Sequence, residues 1–183
     1  MEKKVLTEIA IYYGKVKRPK GHEVNNHEIK ADILEAQLQN KLVSDSPFSY
    51  RFFDYKLNYS PNMGYVNEHI SEYMNVKHNI VLQPELSFGN ILQYREQSFS
   101  RRCLEMNDLI NEPTHIMVYG VDIQPESAQI VIEYDDNKAK DKTWFYELKT
   151  NEYIVFPTSC RYFLAGNTSK EPNFFLTTTF KEI

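Results

Sequence analysis

Cysteine is nearly absent from this chain: Cys103 and Cys160 are the only two among 183 residues. Neither belongs to a Cys-x-x-Cys pair or a Cys/His cluster, so a disulfide framework and a thiolate zinc site are both excluded. Two buried free thiols in a reducing compartment are expected instead. Long apolar runs are also missing, and no stretch approaches the roughly 20 residues of a membrane span. The opening "MEKKVLTEIAIYY" puts charge before an apolar run, but Thr7 and Glu8 interrupt it and no small-residue cleavage site follows. It reads as the first strand of a cytosolic product. Positive charge is not in excess: the net charge is −4, which leaves no electrostatic footprint for nucleic acid. The one basic run, Lys15 to Lys20, reads as a solvated loop. Gly-x-Ser-x-Gly, phosphate-loop and dinucleotide fingerprints do not occur.

Aromatic residues are what the chain does have, at 14% with 13 Tyr and 11 Phe. Both types favour strands and interfaces. No repeat, low-complexity block or linker divides the sequence, so one domain over 1–183 is expected. Its first part, 1–79, reads as strands plus supporting helices. Residues 5–13 look extended, 15–26 form a polar loop, and Ile29, Ile33, Ala36 and Leu38 give helical spacing from Glu28 to Leu42, capped by Asn25 or Asn26. "FSYRFFDYKLNYS" (48–60) reads as a strand, and Val66, Ile70, Tyr73 and Met74 predict a second helix over 62–76. The second part, 80–183, reads as short strands at 80–82, 88–94, 115–123, 128–134, 143–148, 152–156, 161–165 and 173–181. Turn signals such as Gln83-Pro84, Asp135-Asp136-Asn137 and Gly166-Asn167 separate them. The expected fold class is mainly β (α+β), a jelly-roll or double-stranded β-helix barrel supported by two N-terminal helices.

Within 115–180, Phe156-Pro157-Thr158 is followed by Tyr162 and then by the Asn167-Thr168-Ser169 turn. This frame resembles the second half of the double-stranded β-helix of iron(II)- and 2-oxoglutarate-dependent oxygenases, most of all the small versions encoded by phages. "NILQYREQSFSRRCLEM" (90–106) resembles the strand and loop that lead into their His-x-Asp ligand pair. The resemblance implies two histidines and a carboxylate on one face of the iron, with an arginine on the last strand for 2-oxoglutarate. Residue by residue these are not found. The pair falls near Ser100 to Leu104, read Ser-Arg-Arg-Cys-Leu, and no His-x-Asp or His-x-Glu occurs anywhere. The distal histidine position holds Tyr162 and the arginine position falls at or beside Asn173. Two arginines at the metal position would also repel a dication.

The remaining candidates are weaker. His22 and His27, with Glu23 and Glu28 beside them, form a loop leading to a helix cap. His69 and His78 would not face one ion on a regular helix. His115 opens a strand and is the best isolated pocket candidate. Ser159-Cys160-Arg161 sets a thiol beside a cation, yet no base is near in sequence. The acidic tip Glu133-Tyr134-Asp135-Asp136-Asn137 lacks a calcium-loop pattern. No catalytic, cofactor-binding or metal residue is assigned, and no cofactor is expected.

If the barrel is empty, its surface carries the function. Tyr12, Tyr13, Phe52, Phe53, Tyr55, Tyr59, Trp144 and Tyr146 are candidates for a contact surface, and the threonine run of "FFLTTTFKEI" reads as an edge or terminal strand open to strand addition. Three readings stay open. The first is a non-catalytic oxygenase-like barrel, a structural or protein-interaction module in the host cytoplasm or a phage virion (neck or tail). It would have protein partners or form a homo-oligomer, and engage no nucleic acid or membrane. The second is an active oxygenase or other cupin-like enzyme with atypical ligands such as His115, Glu133 or Tyr162. The third is a small-molecule or sugar-binding jelly roll.

Overall fold

A computed structural model describes residues 9–17, 23–39, 55–98, 113–134 and 142–183. Two antiparallel sheets face each other. The larger has the order β1 (Tyr12–Lys15), β7 (Glu152–Pro157), β4 (His115–Asp122), β9 (Asn173–Glu182), β3 (Leu82–Leu92), β2 (Tyr55–Lys56). The smaller has the order β6 (Lys142–Glu147), β5 (Gln129–Tyr134), β8 (Arg161–Leu164). Helices α1 (Asn26–Leu38) and α2 (Pro61–His78) pack on the far face of the larger sheet. This is the double-stranded β-helix with two supporting helices.

Both helices begin where local chemistry directs. The Asn25 side chain accepts from the His27 N–H at the start of α1, and Ile29, Ile33 and Ala36 form its buried stripe. Ser60 caps α2 through the Met63 N–H, Pro61 follows it, and Asn79 closes the helix at φ 56°. The α1 register is two residues earlier at its start than expected, and residues 40–42 lie outside the described ones.

The larger sheet is covered on both faces, by helices and by the smaller sheet, so its strands are apolar throughout rather than alternating. In β4, Met117, Tyr119 and Val121 face the helices while Ile116 and Val118 face the barrel interior; in β7, Tyr153 and Val155 oppose Ile154 and Phe156. Close approach at two glycines permits this layering. A Cβ on Gly89 would sit 2.5 Å from Ile33 Cγ1 of α1. One on Gly120 would sit 2.4 Å from the Lys149 carbonyl oxygen, a backbone atom with little room to move. Gly120→Ala is therefore expected to cost about 1–3 kcal/mol, as overpacking does, read as a lowered urea midpoint.

Three expectations need correction. The segments 80–82 and 88–94 are one strand, β3; Pro84 does not turn the chain, because a bulge between Pro84 and Leu86 absorbs it. Of 48–60, only Tyr55–Lys56 is a strand among the described residues, and 48–54 lie outside them. The threonine run is no edge: β9 pairs with β3 on one side and β4 on the other. Its hydroxyls are satisfied inside, Thr177 Oγ1 donating to Asn90 Oδ1 at 2.8 Å and Thr178 Oγ1 to Asn67 Oδ1 at 3.0 Å. Buried hydroxyls with partners cost little, so polarity did not mark solvent exposure.

Candidate functional site

The barrel interior is where an oxygenase of this fold would hold its metal. Here it is lined by Leu92, Ile116, Val118, Ile130, Ile132, Ile154, Phe156, Cys160, Tyr162, Leu164 and Phe175, all nearly solvent-free. β8 points Tyr162 and Leu164 inward and leaves Arg161 exposed. Tyr162, at the distal-ligand position, is 1% exposed, with its ring edge-on to Phe156 at 5.2 Å between centroids. It is a packed core residue.

Asn173, at the arginine position, opens β9 and is fully buried. Its Oδ1 accepts from the Gln124 N–H at 2.8 Å, and its Nδ2 donates to Ser127 O at 3.2 Å and Ser127 Oγ at 2.9 Å. Those bonds tie the β4–β5 connection to the sheet. The Ser100 to Leu104 segment lies outside the described residues.

The motif residues around these positions hold the fold. Thr158 Oγ1 donates to Pro113 O at 2.8 Å. Asn167, also buried, donates through Nδ2 to Leu92 O at 3.0 Å and Glu171 O at 2.8 Å and accepts from the Ser169 N–H at 2.8 Å. The Phe-Pro-Thr and Asn-Thr-Ser spacing is therefore explained by backbone hydrogen bonding, without any ligand.

Strand alternation separates the candidate atypical ligands. Ile116 and Val118 face inward, so His115 on the opposite parity does not. Its Nδ1 lies 3.0 Å from Thr114 Oγ1 and 3.9 Å from Glu182 Oε2. Burial holds its pKa below the usual histidine range, against an upward pull from Glu182. Glu133, flanked by inward-facing Ile132, lies on the outer face of the smaller sheet. Only Tyr162 of the three faces the interior. His27 is exposed, and His22, Cys103 and Asp135 to Asn137 lie outside the described residues. His78 packs at a tilt against Tyr12 at 4.6 Å and His69 stacks against Tyr65 at 6.4 Å, on different turns of α2. Cys160 is 2% exposed and packs with the apolar residues of the interior. Among the described residues, no three His, Cys, Asp or Glu side chains come together to hold a metal.

An open groove of about 540 Å³ lies elsewhere, between the start of α1 and the Thr150-Asn151 turn. Its polar groups engage one another: Lys30 Nζ meets Asp122 Oδ2 at 2.7 Å, and Asn26 Nδ2 donates to Asn151 Oδ1 at 3.0 Å. Of the expected surface aromatics, Tyr13 and Tyr59 are exposed, Tyr12, Trp144 and Tyr146 are half-buried, and Tyr55 is core. Phe52 and Phe53 lie outside the described residues. No described helix is long and apolar enough to cross a membrane.

No protein-family model and no curated protein matches the chain in sequence. Solved structures do match in three dimensions. A Pseudomonas putida prolyl-4-hydroxylase is similar over 94% of this chain and 92% of its own, with TM-score 0.65 and 9% identity. The non-heme α-ketoglutarate-dependent carbocyclase SnoK from nogalamycin biosynthesis is similar over 92% and 78%, with TM-score 0.66 and 10% identity. The viral collagen prolyl hydroxylase of Paramecium bursaria Chlorella virus-1, solved with 2-oxoglutarate, is similar over 94% and 96%, with TM-score 0.61 and 8% identity. The fold is thus that of the 2-oxoglutarate/iron(II) oxygenases, and at these identities the likeness concerns fold alone. The described residues do not fit the iron and 2-oxoglutarate that such a fold implies. The positions that would supply a histidine and an arginine supply a packed tyrosine and a fully hydrogen-bonded asparagine.

Proposed function

We propose that the chain, as one domain over residues 1–183, is an oxygenase-type barrel used as a structural or protein-interaction module rather than as a catalyst. The observation that carries this reading is the buried distal-ligand position. Tyr162 occupies it as core, 1% exposed and edge-on to Phe156. A metal site needs open coordination positions and donors converging on one point, and among the described residues no three His, Cys, Asp or Glu side chains converge. A role in a phage particle rests on the phage-like frame of residues 156–169 alone; none of the structural neighbours adds to it.

A working oxygenase with atypical ligands is the second reading. The structural neighbours by themselves favour it over the module, because those quoted are named as enzymes. It requires donors from outside the described residues. One experiment separates the two: add Fe(II) and 2-oxoglutarate without oxygen, then follow retained metal and the thermal midpoint. No retained iron and an unmoved midpoint are expected. A ligand bound at a hundred times its dissociation constant would add about 2.7 kcal/mol of stability; stoichiometric iron with such an upward shift overturns the module reading.

A further inference from the structure

The outer face of the smaller sheet, which a barrel normally gives to water, carries an apolar stripe. Val131 at its centre pairs with Phe145 of β6 on one side and Phe163 of β8 on the other. Val131 is 3% exposed and Phe163 is half-buried. Phe145, at the sheet edge, is 56% exposed. The stripe runs to the margin of the sheet and stops at an uncovered ring.

That margin is also a free hydrogen-bonding edge. Among the described residues no strand pairs with the outer side of β6. The Leu148 N–H donates to Ala128 O, and Gln129 O accepts from the Ala165 N–H of the opposite neighbour. Ladder alternation then turns the backbone groups of Trp144 and Tyr146 toward β5, and those of Thr143, Phe145 and Glu147 outward. None of these three is a lysine or proline, the residues that commonly guard an edge.

We infer that this edge pairs with itself: two copies join β6 to β6, antiparallel, about a two-fold axis at Phe145. Symmetry and charge select that register. In a two-fold antiparallel pair the axis passes through a hydrogen-bonded pair, centred on Thr143, Phe145 or Glu147, or through a non-hydrogen-bonded pair, centred on Trp144 or Tyr146. Centring on Trp144 leaves Glu147 beyond the partner's β6, and centring on Tyr146 sets Phe145 against Glu147 and leaves Thr143 beyond it. Centring on Glu147 opposes two carboxylates and is unfavourable. Centring on Thr143 leaves most of β6 without a partner. Centring on Phe145 uses the whole strand. It sets Phe145 against Phe145, Thr143 against Glu147, and Trp144 against Tyr146 on the other face. The stripe then runs without a break through both smaller sheets, from Phe163 of one copy to Phe163 of the other. Glu147 keeps its countercharge within its own chain, Lys149 Nζ lying 3.8 Å away. Trp144 and Tyr146 are already ordered for this contact, with rings stacked at 5.7 Å beneath Tyr13 of β1.

This deepens the module reading by naming a partner, a second copy of the chain, and it is tested apart from it. Sedimentation velocity on the full chain over a concentration series is expected to show a dimer. Phe145→Lys is expected to weaken self-association at least about tenfold, with an unchanged thermal midpoint in dilute solution where both chains are monomeric, whereas Leu38→Lys, at an 86% exposed position on α1, leaves the dimer intact. Phe145→Cys is expected to give a disulfide-linked dimer on mild oxidation, because the central pair places Cα atoms about 5.5 Å apart; Glu147→Cys is not. A wild-type chain that stays monomeric overturns the inference. So does a dimer indifferent to Phe145→Lys, or a monomer whose β6 edge takes up a strand from a different protein. Iron binding measured on the same samples is independent. A dimer that binds iron keeps this interface and removes the module reading, and a monomer without iron does the reverse.

Discussion

Replacing Tyr162 with alanine is expected to destabilise the protein by about 3–5 kcal/mol, the range for removing a large aromatic side chain from a packed core. The ring is 1% exposed and meets Phe156 edge-on, so truncation leaves a void that strands on both sides are too constrained to fill. Urea unfolding reads this directly as a lower midpoint at an unchanged slope. A ligand tyrosine in an open site gives the opposite pattern, with stability little affected and metal affinity lost. Tyr162→His supplies the informative companion. It places the missing histidine at its position, yet is expected to retain no iron, because the described residues bring no set of second and third donors together. Stoichiometric iron in Tyr162→His would show that a latent site survives in the barrel.

The second large effect falls on Asn173. Asn173→Leu is expected to cost about 2–5 kcal/mol, since it strands the Gln124 N–H and the Ser127 carbonyl without partners in a buried place, each worth about 1–3 kcal/mol. Those groups hold the β4–β5 connection against the start of β9, so hydrogen exchange should quicken at Gln124 to Ser127 before it does elsewhere. Asn173→Arg is expected to be at least as destabilising. A guanidinium placed in a fully buried niche, with no carboxylate among Asn173's partners, bears an uncompensated desolvation cost. An Asn173→Arg chain that folds normally and is stabilised by 2-oxoglutarate would mean that the co-substrate pocket was intact and lacked only its cation.

Much of the barrel was legible because its strands are separated by residues with fixed backbone habits. Gly166-Asn167 fell between strands as expected, and each strand from 115 onward began and ended within two residues of its reading. The helices were readable from Ile29, Ile33 and Ala36 and from Val66, Ile70 and Met74, all buried as the spacing required, while Leu38, read into the first stripe, is 86% exposed. The misreadings share a cause. Pro84 was taken as a break because proline lacks a donor, but a bulge makes that loss harmless. Thr177 and Thr178 suggested an edge because hydroxyls prefer water, but asparagines on a neighbouring strand and helix satisfy them. The threonines' partners are distant in sequence, and the bulge beside Pro84 exists only against the distant strand β9.

The candidate site divides the same way. That a tyrosine and an asparagine stand where a histidine and an arginine are expected is a matter of order along the chain, and the sequence determined it alone. The alternation of β5, β6 and β8 was written there too, as was the scarcity of cysteine and the lack of any His-x-Asp. Only the tertiary structure decided that Tyr162 is sealed among aliphatic side chains, that Asn173 is fully occupied by Ser127 and Gln124, and that Phe145, Val131 and Phe163 form one stripe ending at an open edge. The strand pairings and the Asn173 bonds join residues 14 to 49 apart, and whether such contacts form depends on which strands become neighbours. Periodicity fixes which face a side chain takes; sheet order fixes what it meets there.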